Sequence, residues 1–289
     1  MSKKVRVTIF GATGKTGSDL LRLLSDAGID TLAVTRHLAN AHELPFVRWV
    51  KADMADKHSL YQALDARDAV FLLSGAGPDV VLEQSNVIEA CKGSGVAHVV
   101  KLSSGAASKD SLFYIPRTHG EIEELLKCSG MAWTMLRPNG IMQNWLRGMA
   151  DSVKKKRMFF ESTGDGKRSH VDRRDIAEVA FACLTEGAPH FGKTYLLTSE
   201  KAVSYHDVAE AIGKVVGEEV TYVPISPDAA RRSMEEERIP HALIETFLSY
   251  DLAQRNGETA MVSDSVRNIL KRPARSLEDF VNDYAERFQ

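Results

Sequence analysis

The chain has 289 residues, is 44% hydrophobic, and balances 37 Lys and Arg against 39 Asp and Glu for a formal charge of −2. That length suits one large α/β domain, or one domain with a smaller lobe, and the balanced charge gives no general pull toward nucleic acid or membrane. No apolar run approaches the ~18 residues needed to span a bilayer, Met1 to Lys4 lead into a strand rather than a secretory leader, and three unpaired cysteines suit a reducing compartment, so a cytoplasmic protein is expected.

The first strand, residues 5–10, runs straight into Gly11, Gly14 and Gly17, spaced G-x-x-G-x-x-G. A helix is expected over 17–28, with Leu20, Leu21, Leu23 and Leu24 on one face. A glycine turn between strand and helix lets backbone approach a bulky anion, and the helix N-terminus offers it unpaired N–H groups. Gly11, Thr13, Gly14, Lys15, Thr16 and Gly17 are therefore candidate dinucleotide contacts.

The second strand, 31–35, ends at Arg36 and His37 with no acid where an NAD-specific fold carries one for the ribose 2′-OH. Arg36 suits a 2′-phosphate, so NADP(H) is expected over NAD(H); a surface arginine closing a strand is the competing role. After the third strand (46–50), Asp53 could accept from an adenine amino group while Met54 packs on the ring, or Asp53 could cap the helix at 56–65. The fourth strand (69–73) is followed by Ser74 and Gly75, small residues suited to passing a bound cofactor or to an ordinary turn.

Helices at 58–65, 79–94 and 118–129 alternate with strands at 97–102 and 132–136. That rhythm predicts a doubly wound parallel α/β sheet covered on both faces, with ligand at the carboxyl ends of its strands. After Pro138 the pattern changes. A helix over 171–185 and a strand over 194–198 return to the sheet, while helices at 204–216 and 226–249, a strand at 221–224 and a terminal amphipathic helix within 262–288 form a smaller lobe. The expected division is a dinucleotide-binding domain over 1–138, also receiving about 168–200, and a smaller α+β substrate lobe over 139–167 and 201–289. The cleft between them is the default substrate site.

Cys91, Cys128 and Cys183 are expected as small buried residues. The nine histidines are dispersed without a ligand motif, so no metal site is expected. The basic run Lys154 to Arg157 reads as a solvated helix end, with a phosphate contact as the other possibility.

Several motifs together resemble the NmrA-like group of atypical short-chain dehydrogenase/reductases. They are the G-A-T-G-x-T-G turn, Leu102-Ser-Ser-Gly-Ala106, His119-Gly-Glu-Ile-Glu-Glu-Leu-Leu126, Trp133-Thr-Met-Leu-Arg-Pro-Asn139, Met142-Gln-Asn144, Val171-Asp-Arg-Arg-Asp-Ile-Ala177 and Gly192-Lys-Thr-Tyr-Leu-Leu-Thr198. The resemblance spans almost the whole chain. It implies an NADP-type Rossmann domain with a substrate lobe, and a family containing quinone, azo-dye and imine-type reductases as well as redox-sensing regulators.

The Tyr-x-x-x-Lys pair of shorter relatives is absent: Thr118 stands four residues after Tyr114. His119 falls near the place where several NmrA-like reductases have a lysine. It could bond the nicotinamide ribose or donate a proton, or it could hold a loop; Tyr114 is the second candidate proton donor. Ser103 and Ser104 are placed beside the nicotinamide, and Pro138 and Asn139 approach it. Met142 and Trp145 would wall the substrate pocket or fill the core between lobes. Hydride transfer to an electron-poor acceptor needs mainly alignment. The expected activity is NADPH-dependent reduction of a small quinone-like, azo or imine electrophile, with no nucleic-acid or membrane partner. The alternative is a non-catalytic dinucleotide-binding redox sensor.

Overall fold

The computed structural model describes residues 5–64 and 67–289. The reading of Met1 to Lys4 lies outside them, as does Asp65, the last residue of one expected helix.

The first half alternates strand and helix: β1 (Val7–Ile9), α1 (Lys15–Asp26), β2 (Thr31–Thr35), β3 (Val47–Lys51), α2 (Lys57–Leu64), β4 (Ala69–Leu72), α3 (Val80–Gly93), β5 (His98–Leu102), α4 (Tyr114–Lys127) and β6 (Ala132–Pro138). β1, β2, β4 and β5 are buried at every position. Their sequences are near-continuous apolar runs for that reason, since a parallel strand is covered on both faces. Helix α1 buries Leu20, Leu21 and Leu24 on one face, as its spacing implies.

The second half continues with α5 (Gly148–Lys156), β7 (Met158–Glu161), α6 (Arg173–Glu186), β8 (Lys193–Leu197), α7 (Tyr205–Val216), β9 (Thr221–Pro224), α8 (Pro227–Glu236), α9 (His241–Arg255), α10 (Ser265–Leu270) and α11 (Leu277–Asp283). Seven strands form one sheet in the order β3-β2-β1-β4-β5-β6-β8, and β7 and β9 form a separate parallel pair. Neighbours from β3 through β6 pair in parallel. The order reverses between β1 and β4, so the chain winds outward in both directions as a Rossmann-type sheet does. Ile9 aligns with Ala33 on one side and Phe71 on the other, which brings the carboxyl ends of these strands to one edge.

Contacts divide the chain into two compact units. The first comprises the residues up to Ser111, Pro116–Arg137 and Ile176–Tyr195; the second comprises Leu112–Ile115, Pro138–Asp175 and Leu196–Gln289. The second unit has its own core, in which Trp145, Phe159, Tyr205, Tyr222, Phe280 and Phe288 cluster with aliphatic neighbours.

Three expectations are corrected. The single helix over 226–249 is two helices, because Arg238 takes a left-handed φ of 59° and Pro240 follows it at the start of α9. The terminal amphipathic helix is shorter than expected: Lys271 is left-handed (φ 56°) and Pro273 follows, and α11 is only 7 residues long, which leaves Tyr284 and Phe288 beyond it. It still buries Leu277, Phe280 and Val281. Cys91 and Cys183 are buried, but Cys128 is exposed just past the last turn of α4. No described helix is long and apolar enough to cross a membrane.

Candidate functional site

The turn between β1 and α1 is built on backbone contacts that only glycine permits. Gly11 takes φ +74°, and its carbonyl accepts from Gly14 N at 2.9 Å. A Cβ on Gly17 would lie 2.1 Å from the Gly11 carbonyl oxygen, so the first turn of α1 rests directly on the turn that precedes it. α1 begins at Lys15, two residues earlier than expected, and Gly17 therefore sits inside its first turn. Gly14 is the N-cap and offers no side chain, so it leaves the N–H groups of Thr16 and Gly17 uncapped. Thr13, Gly14 and Lys15 are exposed around this N-terminus, and Thr16 is buried. The arrangement fits a pyrophosphate: a positive helix end, backbone donors and no Cβ in the way.

The other candidates from β2, β3 and β4 follow the carboxyl ends of neighbouring strands. Arg36 directly follows β2, is exposed, and makes no ion pair among the described residues. Asp53 is half-buried after β3; its Oδ1 accepts from Ala55 N at 3.0 Å. The residue that opens α2 is Asp56, whose Oδ1 accepts from His58 N, so Asp53 does not cap that helix. Met54 is half-buried, and its carbonyl accepts from Asn86 Nδ2. After β4, the Ser74 hydroxyl accepts from Gln84 Nε2 at 2.8 Å, and Gly75 is exposed.

At the end of β5 lies a buried polar cluster that the sequence reading missed. Lys101 is fully buried, donates to the Leu102 carbonyl at 3.1 Å, and its Nζ lies 2.9 Å from His119 Nδ1 on α4. One turn along α4, Glu123 is 1% exposed. It accepts from Ser103 Oγ at 2.5 Å and from Arg137 Nε and a terminal guanidinium nitrogen at 2.9 and 2.5 Å. Burial brings the Lys101 ammonium down from 10.5 to about 7, with Glu123 opposing and Arg137 reinforcing the drop. Burial and the adjacent Lys101 push His119 down to about 3, so its imidazole is neutral near pH 7. His119 keeps partial exposure, and its Nε2 has no hydrogen-bond partner among the described residues. Ser104 is half-buried beside Ser103, and Tyr114 opens α4, half-buried.

In the second unit, Pro138 ends β6, and the Asn139 side-chain amide donates to Ser169 Oγ and to the Thr259 carbonyl at 2.8 and 2.7 Å. Both Asn139 N–H donors are thus committed within the protein. Met142 and Trp145 lie in the core of this unit, where the Trp145 ring meets His170, Tyr205 and Phe280. Glu161 has its carboxyl buried near Asp251 and Arg168; burial first, then Asp251, raises it from 4.5 to about 8. The unfolded chain binds fewer protons than the folded one between those values, so this group makes stability fall as pH rises from about 4.5 to about 8. Glu161→Gln is expected to flatten that decline, measured as the thermal midpoint at pH 5 and pH 8; an unchanged pH slope would contradict it.

Lys101 carried one sequence signal: a lysine inside the apolar run Ala97 to Leu102. Glu123 and Arg137 stand in motifs singled out above, His119 to Leu126 and Trp133 to Asn139, but nothing in the sequence pairs them: only the packing of α4 over β5 and β6 joins them. Among the described residues, no three or more His, Cys, Asp or Glu side chains gather as a metal site would require.

The NmrA-like family model matches residues 3–281. The chain is 34% identical over 284 residues to an NAD(P)H azoreductase of Xenophilus azovorans, covering 98% of this chain and 99% of that one. It is 31% identical over 283 residues to a (4-alkanoyl-5-oxo-2,5-dihydrofuran-3-yl)methyl phosphate reductase of Streptomyces griseus, covering 98% and 99%. Among solved structures, an NADPH-dependent quinone oxidoreductase of Escherichia coli complexed with NADPH superposes with a TM-score of 0.87 at 26% identity, covering 96% and 99% of the two chains.

Proposed function

Since the chain belongs to the NmrA-like family, we propose that it is an NADPH-dependent reductase of small quinone-like, azo or imine electrophiles. The observation that carries this reading is the glycine cradle at the head of α1, with the exposed Arg36 guanidinium, which makes no ion pair among the described residues, following the next strand of the same sheet. When bound, the dinucleotide supplies the hydride. The first turn of α1 would hold its pyrophosphate, Arg36 its 2′-phosphate, and Ser74 and Gly75 would give it passage at the end of β4. His119 would bond the ribose or the substrate through Nε2. The full-length reductase relatives favour this reading over a non-catalytic sensor, which has only the missing Tyr-x-x-x-Lys in its support.

Turnover of NADPH with a panel of quinones, azo compounds and imines tests the activity. Arg36→Glu tests the cofactor assignment. It is expected to weaken NADPH binding roughly tenfold to a hundredfold, the worth of charge-assisted bonds to a phosphate, and to leave NADH nearly unaffected. Equal losses for both cofactors, in fluorescence titrations, would remove Arg36 from the 2′-phosphate site.

A further inference from the structure

His119 presents a chemical difficulty as a proton donor. A neutral imidazole is a poor acid, because giving up its only N–H alone leaves an imidazolate. The imidazolium that would solve this is disfavoured here by burial and by the ammonium beside it. The contact between Lys101 and His119 removes the difficulty. Lys101 points from β5 to Nδ1 at 2.9 Å, carries protons to give, and has no route to solvent of its own because it is fully buried. An ammonium donating to Nδ1 fixes the ring as the Nε2–H tautomer. That places the ring's one N–H on the edge that has no hydrogen-bond partner among the described residues.

We propose that Lys101 and His119 form a two-residue proton relay that supplies the reduced substrate in place of the missing Tyr-x-x-x-Lys. The proposal rests on the reductase reading above. As the reduced nitrogen or oxygen gains negative charge, the His119 Nε2–H bond breaks and a bond from that proton to the substrate forms. At the same moment a Lys101 N–H bond breaks and the proton bonds Nδ1, so the ring stays neutral and Lys101 becomes an amine. When product leaves, water protonates Nε2 and the Nδ1 proton returns to Lys101, restoring the starting state. Lys101 acts through His119 and is a positioning and proton-storing residue; the group that meets the substrate is His119.

The charged surroundings suit such a store. From α4, Glu123 favours the ammonium; from β6, Arg137 disfavours it; just past β5, Ser103 commits its hydroxyl to Glu123, and Lys101 is left to His119 and the Leu102 carbonyl. With the ammonium titrating at about 7, relay-dependent turnover falls as pH rises through that value.

The test compares two acceptors. An azo compound must gain a proton on the nitrogen left anionic by hydride transfer, whereas a cationic triarylmethyl dye needs hydride alone. Lys101→Met is expected to lower kcat for the azo compound by about 100-fold more than for the dye, the usual weight of general acid catalysis, and to abolish the fall in azo turnover above pH 7. NADPH affinity is expected to move little. His119→Gln, on a half-exposed helix position, should show the same selective loss and serves should Lys101→Met not fold. Equal losses on both acceptors, or a high-pH limb kept in Lys101→Met, would overturn the relay while leaving the reductase intact. Wild-type protein silent on both acceptors and on the quinones and imines would overturn the reductase reading itself, and the relay with it.

Discussion

Gly17→Ala is expected to cost about 1–3 kcal/mol of stability, as overpacking of a close contact does, and to remove most of the affinity for NADPH. The added methyl would lie 2.1 Å from the Gly11 carbonyl oxygen, 2.8 Å from its carbon and 3.0 Å from Ala12 Cα. All three are backbone atoms with no rotamer to yield. Relief requires the first turn of α1 to move off the glycine turn, which takes the N–H groups of Thr16 and Gly17 away from the place where an anion would sit. Gly148→Ala is the control: a methyl there would meet no atom within 4 Å beyond its own helix and chain neighbours, and its φ is not left-handed. Urea unfolding and NADPH fluorescence titration of both variants check this. A Gly17→Ala protein with wild-type midpoint and affinity would show that the helix does not need this approach.

Glu123→Ala is expected to be the most damaging single change in the polar cluster, at about 3–5 kcal/mol, the cost of breaking a buried ion pair from one side. Glu123 is 1% exposed and accepts from Ser103 and twice from Arg137. Without it, the hydroxyl and the fork of the guanidinium lose their acceptors, and Lys101 loses the charge that favours its ammonium. Arg137 keeps 25% side-chain exposure, so water can reach part of it and places the expected cost toward the lower end. Glu123→Gln should recover part of the loss, because an amide oxygen still accepts one bond. Urea denaturation measures both; an Ala variant within about 1 kcal/mol of wild type would mean that the pair is solvated.

The architecture was legible because parallel strands covered on both faces leave continuous apolar runs, and because glycine punctuates the first of them. β2 and β9 fall on the residues expected, and most other elements in the first half shift by one or two residues. α4 begins four residues early, at Tyr114, because Pro116 occupies its first turn, where proline is tolerated. The break within 226–249 had a signal in Pro240, which the apolar periodicity on either side outweighed. The polar cluster was not legible for a different reason. Lys101 and His119 are 18 residues apart, and Ser103 and Glu123 are 20 apart. Their meeting depends on which face of α4 lies over β5, and Gly120 helps set that face. A Cβ there would lie 2.2 Å from Lys109 N, so the loop before α4 packs directly on the helix backbone. Asn139 shows the reverse case: its sequence position suggested a contact with the nicotinamide, and packing against Ser169 and Thr259 commits both side-chain donors within the protein.

The central claim, that this chain transfers hydride from NADPH to a small electrophile, is tested most directly by steady-state loss of nicotinamide absorbance with purified protein and a small quinone or azo compound, against a protein-free blank. The expected result is saturable turnover in both substrates, with kcat/KM higher for NADPH than for NADH. Tight NADPH binding with no turnover above the blank on any acceptor would contradict it.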